Sequence, residues 1–412
     1  MNARLAFHST RAGICGATGR RRWRLLLGAL LGVAGPTLAA PFIPADPDQV
    51  LEKLPLAVVD ARARELQGLR RQLAARPEDL ELALQVARRN LEIGRAEADP
   101  RYHGYARAAL APWWDQTPPP PEVLLLRAVL RQNQHDFDGA LADLRQVLQA
   151  NPRHAQAWLT QAVIQQVRGE PVAALQSCFA LRRLTDPLLF NACLSGALAR
   201  NGQAEFAYAN LRRALENASE ADDGERLWAL TVLAEIAEQR DDAAAAETHF
   251  RAALALGRRD VYLLGAYADF LLDQNRLAEA RALLRGEQRA DSLLVRLALA
   301  ERRLDDPAWR RHAEILDARF VAARQRGDDT HVASEARLKL DLRQQPAEAL
   351  ELARRNWAQG QREPQDARLL LEAALAAGRP DTAGEVLGWL DRVKLEDQRL
   401  AELSRRLRES SS

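Results

Sequence analysis

An alanine recurs along most of this chain at a nearly constant interval, and that recurrence limits the fold more than any other feature. The alanines are Ala106, Ala140, Ala174, Ala207, Ala246, Ala280, Ala313, Ala349 and Ala383, with gaps of 34, 34, 33, 39, 34, 33, 36 and 34 residues. Four positions after each stand Leu110, Leu144, Cys178, Leu211, Phe250, Leu284, Asp317, Ala353 and Leu387, apolar in all but one case. A small residue followed one helical turn later by an apolar one marks a single helical face. Twelve residues before the anchors lie Ala128, Ala162, Ser195, Ala234 and Ala268, small enough for two helices to cross closely. One turn upstream of those are Leu124, Trp158, Leu230 and Leu264, with Asn191 departing from the pattern. The period therefore predicts one helix pair per repeat.

Composition agrees. The chain is 47% apolar and 28% charged, as folded proteins are, and aromatic residues reach only 5%. Its dominant residues are strong helix formers and β-branched residues are sparse, so an all-α fold is expected. Gly169, Gly202 and Gly378 fall in the short turns between paired helices, while Asn151–Pro152 and Asp186–Pro187 fall near repeat ends. Asp99–Pro100 and Asp306–Pro307 read as helix caps followed by a first-turn proline. The run from Thr117 to Pro121 reads as a stiff connector between repeats.

From about Glu78 to about Leu407 these residues resemble the tetratricopeptide repeat family, most closely at 121–154, 155–188, 227–260 and 261–294. The resemblance implies a right-handed superhelical solenoid of about eight or nine helix pairs, each buried only against its neighbours and capped at both ends. The expected organisation is capping helices in 41–77, a solenoid over 78–408 and a disordered tail at 409–412. The first repeat carries an insertion around Glu97 to Gly104. In the seventh, Glu301 and Asp317 occupy positions that want small and apolar residues.

The N-terminus is of a different kind. Arg20, Arg21, Arg22 and Arg24 precede an apolar run from Leu25 to Ala34 and small residues up to Ala40, the order of a secretory signal peptide. Residues 1–40 read as that signal, either cleaved or retained as an anchor, and the expected location is periplasmic or at the inner membrane. Loss of 1–40 removes six arginines and no acid, taking the formal net charge from +2 to −4. No basic face for nucleic acid is left.

Motifs for chemistry are absent from the sequence. Its seven histidines show no metal-ligand spacing, and no glycine-rich phosphate loop or nucleophile elbow occurs. We therefore expect no enzyme activity, no metal and no cofactor. The acidic pairs Asp222/Asp223, Asp241/Asp242, Asp305/Asp306 and Asp328/Asp329 sit at helix starts, where capping explains them. Cys178 and Cys193 fall on helices that the family packs together, which leaves open a disulfide or two buried thiols.

The resemblance also implies a ligand groove on the concave face, lined by the first helix of each pair. Carried over residue by residue, that groove comprises Leu125, Val129, Leu159, Val163, Trp228, Glu235, Tyr262 and Asp269. The lysines and asparagines by which chaperone-binding members hold a terminal carboxylate are missing at the matching positions. An apolar stretch shading into an acidic one suits a protein or peptide with apolar anchors and basic flanks, although the same stripe could be solenoid core. The function expected is an exported protein-binding scaffold in the cell envelope; the alternative is a scaffold for polysaccharide secretion or wall assembly.

Overall fold

All nine recurring alanines are fully buried, as are Ala128, Ala162, Ser195, Ala234 and Ala268. Each marks a place where two helix backbones approach too closely for a larger side chain. The computed structural model describes residues 61–410 except Ala98, and among them finds twenty α-helices and no strand.

Nine helix pairs follow in chain order: α2 (Leu80–Glu97) and α3 (Arg101–Trp114), α4 (Pro121–Asn133) and α5 (Phe137–Ala150), α6 (Ala155–Val167) and α7 (Pro171–Ala180). Next come α8 (Pro187–Ala199) and α9 (Ala204–Glu216), α10 (Asp223–Gln239) and α11 (Ala243–Ala255), α12 (Val261–Asp273) and α13 (Leu277–Leu283). The last are α14 (Asp291–Arg303) and α15 (Ala308–Gln325), α16 (Val332–Arg337) and α17 (Pro346–Ala358), α18 (Pro364–Ala376) and α19 (Gly384–Val393). Helices α1 (Ala61–Ala75) and α20 (Gln398–Ser410) flank the array. Leu66 of α1 packs on Val86 and Ile93, and Leu400 and Leu407 of α20 are buried.

Turns between paired helices share one device. His135, Gly169, Gly202, Asp241, Asn275, Asp305, Gln344 and Gly378 all have φ between 55° and 68°. That left-handed residue lets the next amide reach back and close the helix end, as Asp136 N does to the Arg131 carbonyl at 2.9 Å and Arg276 N to the Leu271 carbonyl at 2.8 Å. Helix starts are capped by acids: Asp222 accepts from Gly224 N, Asp242 from Ala245 N and Asp306 from Ala308 N, while Asp328 accepts from Thr330 N.

Three expectations are corrected. In the seventh repeat Asp317 lies outside the core and pairs with Arg343, and the buried face of α15 is carried by Ala313, Leu316 and Phe320. Glu301 does enter the interior, 5% exposed, where His312 Nδ1 lies 2.7 Å from it. The tail is shorter than expected because α20 runs through Ser410; residues 411–412, like 1–60, lie outside those described. The third correction concerns neighbours. Arg200 meets Glu363, Gln361 meets His135 and Arg259 reaches the Ala96 carbonyl, so repeats far apart in sequence touch.

One charged pair is deep enough to matter for stability. Arg127 (9% exposed) binds Asp143 (1%) through two hydrogen bonds of 2.9 and 2.7 Å, and Arg131 adds a third at 2.8 Å. Asp143→Ala leaves Arg127 buried without its counter-charge and should cost about 3–5 kcal/mol in denaturant unfolding. Asp138→Ala, which breaks the pairing of a 91% exposed side chain with Arg168, should change stability by less than about 1 kcal/mol.

Candidate functional site

The first helices α4, α6, α10 and α12 carry the residues that the sequence assigns to a groove, and the structure divides them. Leu125 is 5% exposed and packed with Leu124, Phe137 and Leu144, so it is core and leaves the groove set. Its inward turn follows from the helix phase: Leu124, Leu125 and Ala128 share the face that meets α5. Val129, Leu159, Val163 and Trp228 are half-buried, with Leu159 and Trp228 also packed against the core around Cys178 and Leu233. Tyr262 keeps 47% of its surface accessible.

Beyond those residues, the same helices and α18 and α20 carry a network of charges. Tyr262 donates to Glu235 at 2.5 Å. Asp269 takes two hydrogen bonds from Arg296, at 2.7 and 2.6 Å. Asp273 receives Arg368 through two bonds of 2.6 and 2.7 Å, and Arg399 bridges Glu238 and Asp273 at 3.1 Å each. Arg200 binds Gln166 at 2.8 Å and Glu363 at 3.1 Å. Glu235 and Tyr262 are thus brought together, whereas Asp269 pairs with Arg296 of α14.

Enclosure perturbs these groups. Burial pushes the Glu238 carboxyl up to about 8 against the opposing pull of Arg399, and it raises Glu235 as well. Tyr262 is raised well above the usual phenol range: surrounding protein strips much of its solvation, and Glu235 and Glu363 add negative charge nearby. Asp273 moves the other way; its burial is outweighed by Arg368 and Arg399. Asp366, hydrogen-bonded to Asn356 and buried, rises to about 7.

Half of these partners could not be found from periodicity. Glu363, Arg368 and Arg399 come from α18, α20 and the turn before α18, and they reach residues 95 to 163 positions earlier. Their only sequence signal is the number of arginines and acids on helix faces that an isolated solenoid would leave in water.

Cys178 and Cys193 lie on α7 and α8 with Cα atoms 5.6 Å apart, joined as a disulfide among Ala174, Leu188 and Leu211. Among the described residues no group of three potential metal ligands occurs, and no helix is long and apolar enough to cross a membrane.

This geometry defines a class, an all-α solenoid built of successive helix pairs. No protein-family model matches the chain, and no curated protein matches it in sequence. Among solved structures it is similar to pilF of Pseudomonas aeruginosa, at 19% identity, covering 48% of this chain and 91% of that one, with a TM-score of 0.37. It is similar too to the Cut9–Hcn1 hetero-tetramer of APC/C (13% identity, 84% of this chain, 52% of that one, TM-score 0.39). Human IFIT1, solved as a dimer with m7Gppp-AAAA, is similar at 14% identity over 81% of this chain and 86% of its own, with a TM-score of 0.40. The fold assignment rests on this chain's own helix pairs.

The raised Glu238 carboxyl has a consequence for pH. A carboxyl whose folded pKa exceeds its unfolded value binds its proton more tightly when folded, so its contribution is complete at low pH and is lost as pH rises through about 8. His103, His135 and His249, which burial lowers below the usual imidazole value, complete their titration at lower pH. Between pH 7 and 9 the melting temperature should therefore fall. The fall should be smaller in Glu238→Gln, compared by thermal melts across that window.

Proposed function

We propose that the protein is an exported scaffold that binds a protein or peptide partner along the concave face, on the strip formed by Val129, Leu159, Val163 and Trp228. The observation that carries this reading is a set of partly exposed apolar side chains on the first helices α4, α6 and α10, with the Glu235–Tyr262 pair on α10 and α12 beyond them. Apolar anchors bury surface and acids at one end select a basic flank, which gives both affinity and direction to an extended or helical chain. The rows of acids also make a nucleic-acid partner unfavourable.

Export is supported by the basic-then-apolar order of residues 20–40, which lie outside those described, and by the pairing of two cysteines that an oxidising compartment would keep bonded. A retained N-terminal anchor would place the same scaffold at the inner membrane.

A second reading, a scaffold for envelope polysaccharide, draws on Phe179 and Phe206, which stand 56% and 61% exposed on α7 and α9. Aromatic faces of that kind can stack on sugar rings. Replacing both with alanine should abolish retention on polysaccharide if this reading holds, and should leave it unchanged if the first does.

Two measurements check the leading reading. A reporter joined after Asp60 should be active outside the cytoplasm; activity confined to the cytoplasm contradicts export. Val163→Glu should weaken capture of the envelope partner by about tenfold or more while leaving helicity unchanged, because a half-exposed apolar contact is lost and a charge is set in its place. Full capture by a folded Val163→Glu protein contradicts the groove.

A further inference from the structure

The solenoid rule is that each repeat touches only its neighbours, and the segment from Gly360 to Arg399 breaks it systematically. Arg362 N donates to the Val167 carbonyl at 2.8 Å, and the Trp389 indole donates to the Gly169 carbonyl at 3.0 Å. Ala204 N donates to Glu396 at 3.0 Å, and Glu363 meets Arg200 at 3.1 Å. Arg399 and Arg368 then engage Glu238 and Asp273. Together these contacts reach the turns after α6 and α8 and the C-terminal ends of α10 and α12.

Left-handed turns elsewhere use His135, Asp241, Asn275, Asp305 and Gln344, so the backbone conformation alone does not require glycine. At Gly169 a Cβ would stand 2.6 Å from the Trp389 indole nitrogen and 2.9 Å from Arg362 Cβ, and at Gly202 it would stand 2.8 Å from the Lys394 carbonyl oxygen. Gly378 turns the same way with nothing within 4 Å. The glycines at 169 and 202 are thus required by what packs on them. The seam is also polar. The core around Trp389 draws its buried members from residues 336–407, and the cores of α4 to α12 draw none from that range.

We infer that residues 360–399 form an intramolecular clasp, which holds the solenoid closed over the turn-side ends of its first helices and must be displaced by any partner that occupies them. The clasp deepens the proposed function and rests on it for its consequence: Arg368 and Arg399 occupy the acids that a basic flank would otherwise meet. A seam made largely of hydrogen bonds and ion pairs can part at little hydrophobic cost, since apart from the rings of Trp389 and Phe137 the buried apolar residues on each side cluster within their own repeats. An incoming chain with arginine or lysine can replace the ion pairs one for one.

Closure has direct reporters in the full chain, the amides of Arg362 and Ala204, both bonded across the seam. In Arg368→Ala/Arg399→Ala their hydrogen exchange should speed up by about tenfold, with the amides inside α4 to α7 unchanged. The radius of gyration from small-angle scattering should increase. Unchanged exchange at both amides together with an unchanged radius overturns the clasp. Should that variant fold poorly, Arg200→Glu should release the same amides and Arg200→Glu/Glu363→Arg should restore them; no restoration counts against the clasp. Gly169→Ala should release the Arg362 amide whereas Gly378→Ala, equally strained at its own turn, should not. Equal release by both overturns the proposal. None of these readouts uses a partner, so a clasp that fails leaves the groove reading to its own test, and a groove that fails leaves the clasp standing.

Discussion

Everything in this structure depends on how closely two helices can approach over an alanine. Nine times the chain places a methyl group where a larger side chain would push the backbones apart, and each time that methyl is fully buried. Close packing at these crossings fixes the angle and spacing within each pair, and dense interiors transmit such choices without slack. Repeated nine times, a local geometry becomes a curve with an inside and an outside. The concave face is a consequence of that repetition.

Curvature then creates an electrostatic problem that the sequence solves with arginine. Acids at the ends of α10 and α12 face inward, where water is restricted, and a carboxylate in such a place needs a partner or a proton. Asp273 has its partners and stays charged, while Glu238 has one shared guanidinium and is raised to about 8. Arginine suits the task because its planar fork can satisfy two oxygens or two residues at once, as Arg368 and Arg399 do. Polar closure over apolar repeats gives the molecule two layers of stability, one local and dry, the other long-range and exchangeable.

The repeat architecture was legible in the sequence because it is local. Anchor alanines, their companions at four and twelve positions, and the capping acids all act within about thirty residues, so period and helix phase reveal them. The groove was only partly legible. Position within the repeat named Val129, Leu159, Val163 and Trp228, which are partly buried, but it could not tell that Leu125 belongs to the core of its own pair. Register failed at Asp317 because the buried face of α15 steps from Ala313 to Leu316 and Phe320 and leaves Asp317 beside it. The closure was illegible for a different reason. Which turn meets Trp389 depends on the summed rotation of six repeats, a quantity that no single window contains. Glycine at Gly169 and Gly202, where other turns accept side chains, was its one visible trace.

The central claim is that first helices receive the partner on the inside of the curve. Hydrogen exchange of the full chain, alone and with its captured partner, addresses this directly. The account predicts added protection in α4, α6, α10 and α12, with the outer helices α5, α7, α9 and α11 unchanged. Protection confined to those outer helices would place the partner on the convex side and contradict it.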